Sequence, residues 1–105
     1  MSDLPQNPTL PELQAYVART CRERGWDRAD DLETMLLLVE EVGELARALR
    51  DHRQLFQEAG RTRAQVSEEL ADVLSYLLDL STRLGVDLEA AFRQKEQINQ
   101  QRHWS

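Results

Sequence analysis

Between Met35 and Ala46 the chain reads Met-Leu-Leu-Leu-Val-Glu-Glu-Val-Gly-Glu-Leu-Ala, and this run constrains the fold more than any other. Its only polar side chains are three glutamates. A helix that is apolar all round is one that other elements cover, so acids inside it must converge on something positive. At about 100° per residue, Glu41 and Glu44 lie about 60° apart and Glu40 and Glu44 about 40° apart, which puts all three in one sector.

A later segment repeats the device. Glu69 and Asp72, again about 60° apart, stand among Leu70, Ala71, Val73 and Leu74. Burying even one unpaired carboxylate costs several kcal/mol. If the two segments are antiparallel neighbours, the acids face each other across about 8–10 Å between helix axes, a gap suited to a divalent cation. Mg²⁺ fits best, because it takes hard oxygen ligands, keeps some waters and leaves positions for phosphate oxygens. Zinc and di-iron fit less well, since neither His52 nor His103 stands in a Glu-x-x-His spacing with these acids. The plainer alternative is solvated surface or ion pairing, for which Arg47 and Arg50 are close enough. The second acidic pair, also set in apolar sequence, is what favours a metal.

The rest of the sequence predicts an all-α chain, an antiparallel four-helix bundle. All three prolines fall before residue 12, so no later helix is interrupted. Residues 1–8 read as a flexible tail and 9–105 as a single helical domain. Thr9 with Glu12 forms a capping box for the first helix, whose apolar stripe is Leu10, Leu13, Val17 and Cys21, and Gly25 stops it. Asp30 with Glu33 opens the second helix, which runs to about residue 51. A polar loop follows from His52 to Arg61, with one helical turn possible around Leu55 and Phe56 and Gly60 closing it. Thr62 with Gln65 caps the third helix, whose expected core face is Val66, Leu70, Val73, Leu74, Leu77 and Leu84. Asp87 caps the fourth, which frays near Trp104.

A net charge of −6 and a pI near 4.9 argue against duplex nucleic acid and anionic membranes as partners. Cys21 has no second cysteine to pair with and reads as a reduced, buried small hydrophobe. The first residues lack a basic stretch followed by an apolar one, and no apolar run approaches membrane-spanning length, so a cytoplasmic location is expected.

Glu40-Glu41-Val42-Gly43-Glu44-Leu45, followed by Glu69-Leu70-Ala71-Asp72-Val73, resembles the EExxE…ExxD signature of the MazG-like, all-α nucleoside triphosphate pyrophosphohydrolases. The segment Leu84 to Phe92, then Lys95 and Asn99, resembles that family's last helix, so the likeness extends over nearly everything from Trp26 onward. The resemblance implies Mg²⁺-dependent cleavage of a canonical or modified (deoxy)nucleoside triphosphate between the α and β phosphates, releasing a monophosphate and pyrophosphate, in a house-cleaning role. It implies metal ligation by Glu41, Glu44, Glu69 and Asp72, with Mn²⁺ as a possible substitute. Glu40 matches the less uniform first acid and would orient water or help hold another ion; Glu40 and Glu41 are the expected catalytic pair. The family habit of a homodimer, or a tetramer made of two dimers, is expected too, because helices this apolar exceed what four short helices cover alone.

Other positions carry two readings each. Lys95, Asn99 and Arg102 make one polar stripe that either contacts phosphate and sugar or is a solvated face. Trp26 stacks on a base or plugs a core edge. Tyr76 and Asp79 share a stripe with Asp72 and either support the metal ligands or face solvent or an interface. The chain carries one such domain, without the tandem copy of long MazG proteins, which limits what the likeness implies about substrate choice. The Arg-rich stretch from Arg47 to Arg63 matches no assignable pattern either, and the absence of paired basic residues before Glu40 disfavours a phosphoribosyl-ATP pyrophosphohydrolase. Readings from other classes are a non-catalytic nucleotide-binding module and a helical oligomerisation module on the same fold.

Overall fold

The computed structural model describes residues 3–53 and 65–102. Four α-helices make up these residues: α1 Leu10–Glu23, α2 Asp31–His52, α3 Val66–Arg83 and α4 Leu88–Gln101. The loop turn at Leu55 and Phe56, Gly60, the Thr62 cap and Trp104 lie outside the described residues. Within them, α3 opens on Gln65 with no side-chain cap.

Local chemistry sets the other boundaries. Both expected capping boxes are formed: Thr9 and Glu12 exchange bonds of 2.9 and 3.3 Å, and Asp30 and Glu33 exchange bonds of 3.1 and 2.8 Å. Each satisfies backbone N–H groups that a helix start leaves orphaned. Asp87 accepts from the Ala90 N–H at 3.2 Å to begin α4. Helices α1 and α3 stop by the same device. Gly25 (φ 72°) and Gly85 (φ 69°) turn left-handed, and the next residue's N–H bonds five back, Trp26 to the Cys21 carbonyl at 2.7 Å and Val86 to the Ser81 carbonyl at 2.9 Å.

The principal packing is α2 on α3, α1 on α3 and α4 on α1. Helices α2 and α3 are antiparallel, since Arg83 at the end of α3 reaches the carbonyls just before α2. Gln14 ties α1 to the α3–α4 turn, donating to the Val86 carbonyl at 2.7 Å and accepting from the Leu88 N–H at 3.2 Å. It therefore sets where α4 leaves.

The helices do not close around one core within a single chain. The Cα radius of gyration is 16.7 Å, against about 13 Å for a compact chain of this length. Ala48 and Leu78 are the only buried apolar side chains among the described residues. Two expectations change accordingly. Of the face expected to pack along α3, Val66 and Val73 turn inward but Leu70, Leu74, Leu77 and Leu84 are exposed, and Glu69, Tyr76, Leu80 and Arg83 turn inward instead, because the packed stripe is rotated by about one residue, or about 100°. On α2, one side packs on α3 and the other presents Leu32, Met35, Leu36, Val39, Val42 and Leu49. Cys21 is half-buried rather than buried.

Candidate active site

The acids of α2 and α3 meet where the antiparallel seam brings their inward faces together. Glu41, Glu69 and Asp72 each offer a carboxylate oxygen, and the three oxygens lie within 4.8 Å of one another. Glu41 Oε2 is buried and has no hydrogen-bond partner among the described residues. Burial pushes the Glu41 carboxyl above the ordinary carboxylate range, and a hydrogen bond with Glu69 and the charges of Asp72, Glu69 and Glu44 push it the same way. Three hard oxygen donors, one of them orphaned, fit a divalent cation of the Mg²⁺ or Mn²⁺ kind.

Glu44 stands outside this trio, paired with Arg47 one turn on. This is the local ion pair that the spacing allowed. Glu40 is exposed on the same helix.

A cleft of about 650 Å³ runs from this cluster toward the α1–α2 connector. Glu41 and Asp72 line it together with Tyr76 and Asp79 of α3 and with Trp26 and Arg28 of the connector. Asp72 and Asp79 are seven residues apart on α3, or about 10 Å along its axis. The Arg24 guanidinium lies 5.0 Å from the centre of the Trp26 ring, within cation–π range. Burial pushes the Tyr76 phenol up, helped by Glu41, Asp72, Asp79 and Cys21. Burial likewise raises the Cys21 thiol, followed by the charge of Asp79.

Trp26, Tyr76 and Asp79 thus all border the cleft that contains the carboxylates. Lys95, Asn99 and Arg102 do not line it; the first two lie on α4, which packs against α1, and Arg102 is its C-cap. Sequence reasoning missed Arg24, Arg28 and Arg83. The clustering of arginines around Trp26 was a readable signal for the first two. Arg83 offered only its spacing from Asp79, one turn back on the same helix, because its other partners are backbone carbonyls more than fifty residues away.

Comparison with known proteins bears on this geometry. The model of the MazG nucleotide pyrophosphohydrolase domain matches residues 30–104. Human dCTP pyrophosphatase 1 is 40% identical over 108 residues, across 91% of this chain and 59% of that protein. The chain therefore spans 59% of the length of that relative. The dATP/dGTP diphosphohydrolase of Cyanophage S-2L is 39% identical over 97 residues, across 92% of this chain and 79% of that protein. A solved structure of the Cyanophage S-2L MazG-like pyrophosphohydrolase, bound to dGDP and three catalytic Mn²⁺ ions per active site, matches with a TM-score of 0.70 and 37% identity, covering 94% of this chain and 85% of that one. With the helical fold, the carboxylate trio and these matches in agreement, the chain belongs to the MazG nucleotide pyrophosphohydrolase domain family.

Proposed function

We propose that this protein is a Mg²⁺-dependent pyrophosphohydrolase that cleaves a (deoxy)nucleoside triphosphate between the α and β phosphates, releasing a monophosphate and pyrophosphate, in a house-cleaning role in the cytoplasm. The observation that carries the reading is the buried, unpartnered Glu41 Oε2 beside Glu69 and Asp72. An interior carboxylate oxygen left in that state costs free energy that a bound dication removes. The relatives named for dCTP, dATP and dGTP chemistry support a nucleotide as substrate, and the Mn²⁺ ions of the cyanophage enzyme support Mn²⁺ as a substitute metal.

A divalent cation at this site would supply charge neutralisation for the phosphates and lower the cost of deprotonating a water. Glu41, Glu69 and Asp72 would hold it, and Glu44, paired here with Arg47, would complete the set on release of that pair. Glu40 orients the attacking water and takes up its proton. Trp26 stacks on the base, and the cleft volume is in the range that admits a small-molecule ligand. Lys95, Asn99 and Arg102 hold phosphate and sugar. Because they do not line the cleft of their own chain, they act from α4 of a second copy. The exposed apolar side of α2 supports that copy, in a homodimer or a dimer of dimers. A stable monomer by light scattering at micromolar concentration refutes the assembly. Among the described residues no helix is long and apolar enough to cross a membrane.

The test is pyrophosphate release from a panel of nucleoside triphosphates, with and without Mg²⁺. Turnover is expected only with the metal, falling at least about a hundredfold in Glu41→Gln and Asp72→Asn variants that still fold. Full turnover in both variants overturns the assignment. Thermal stabilisation by nucleotides without turnover points instead to a binding module, and no response to Mg²⁺ to an oligomerisation module.

A further inference from the structure

Arg83 occupies the last turn of α3, and its side chain is only 15% exposed. Its Nε donates to Asp79 Oδ1 at 3.1 Å, one turn back on the same helix. Nη2 donates to the Trp26 carbonyl at 3.1 Å, and Nη1 to the carbonyls of Ala29 and, at 3.4 Å, Asp27. One guanidinium thus holds three carbonyls of the α1–α2 connector, and Asp79 aims it.

That connector carries Trp26, Arg28 and Ala29 into the wall of the cleft. The two ends of the cleft are supported differently. The carboxylates sit on paired helices, whereas Trp26 is 60% exposed, so packing alone does not fix its ring. A planar fork of donors can serve several carbonyls and a carboxylate at once; a lysine ammonium has no such geometry.

We propose that Arg83 is a positioning residue that sets nucleotide affinity, by tying the Trp26 connector to α3 at a fixed distance from the carboxylates. The assignment rests on the reading of the cleft as a nucleotide site. Arg83 lines no part of the cleft itself and acts through the backbone it holds.

The test uses the full chain carrying Arg83→Met or Arg83→Lys. Two measurements apply: steady-state kinetics on the triphosphate that the unaltered protein turns over best, and amide hydrogen exchange resolved by segment. Arg83→Met is expected to raise KM about tenfold while kcat stays within about twofold. Amides of 26–30 should exchange faster, those of α2 and α3 should not, and Mn²⁺ affinity by electron paramagnetic resonance should hold. Arg83→Lys, which keeps the Asp79 pair, should fall between. Unchanged KM and connector exchange in Arg83→Met overturn the proposal. So does faster exchange throughout the molecule in both variants, which would make Arg83 a general structural support. If the unaltered protein turns over no triphosphate, the enzymatic reading fails separately, and connector exchange still decides whether the guanidinium holds the loop.

Discussion

Glu41 on α2 and Asp72 on α3 bring carboxylate oxygens within 4.8 Å of each other and of a Glu69 oxygen, across an antiparallel helix seam. Like charges this close, one of them buried, are a local liability wherever no cation offsets them. The liability has a sign that can be measured.

The Glu41 carboxyl titrates above its ordinary value in the fold. A raised carboxyl pKa means the native state binds the proton more tightly than the unfolded chain does. The stabilisation is complete below the unfolded value and is lost as pH rises through the folded one. Metal-free protein should therefore gain melting temperature on acidification from neutrality toward the ordinary glutamate range. Glu41→Gln should melt a few degrees higher than the parent at pH 7, with the gap closing near pH 4. Differential scanning calorimetry in a chelator across that range checks both.

Divalent metal should reverse the order at neutral pH. At about a hundredfold excess over its Kd, a ligand that binds only the native state adds about 2.7 kcal/mol. Mg²⁺ or Mn²⁺ should raise the melting temperature of the parent protein, and Asp72→Asn should lose most of that rise. Equal shifts in the two proteins would place the metal elsewhere.

Gln14 joins α1 to the α3–α4 turn through two backbone bonds. Truncation in Gln14→Ala removes both and should cost about 1–2 kcal/mol. The loss should appear in urea unfolding as a lower midpoint with an unchanged slope.

The open side of α2 exposes Leu36 by 59% and Val39 by 55%. Replacing both with glutamate should shift the particle mass by light scattering toward a single chain. Turnover should fall with it if Lys95, Asn99 and Arg102 act across subunits. A variant that remains associated would move the interface to another face.

How much was legible in the sequence divides along physical lines. Helix starts were readable wherever a cap is a local event, as at Thr9–Glu12 and Asp30–Glu33, because both partners lie within four residues. The trio Glu41, Glu69 and Asp72 was readable because acids in apolar sequence violate a general rule. Which apolar stripe of α3 packs inside the chain was not, since Leu70, Leu74 and Leu77 continue the helical periodicity of Val66 and Val73 as well as Tyr76 and Leu80 do. Periodicity reports that a face is covered and leaves open whether this chain covers it. The role of Arg83 was hidden for another reason: Asp79 one turn back reads as an ordinary helix ion pair, and the backbone carbonyls it also binds look alike in every sequence.

The two left-handed glycines that end α1 and α3 have a stereochemical consequence. A methyl group built on Gly25 or Gly85 meets nothing within 4 Å, so only the backbone torsion opposes an L-residue there. D-alanine prefers that torsion. Installed at either position by chemical synthesis, it should leave the fold intact and stabilise it by about 0.4–1 kcal/mol through lost freedom in the unfolded chain, while L-alanine at the same site destabilises it. Handedness alone would separate the two outcomes.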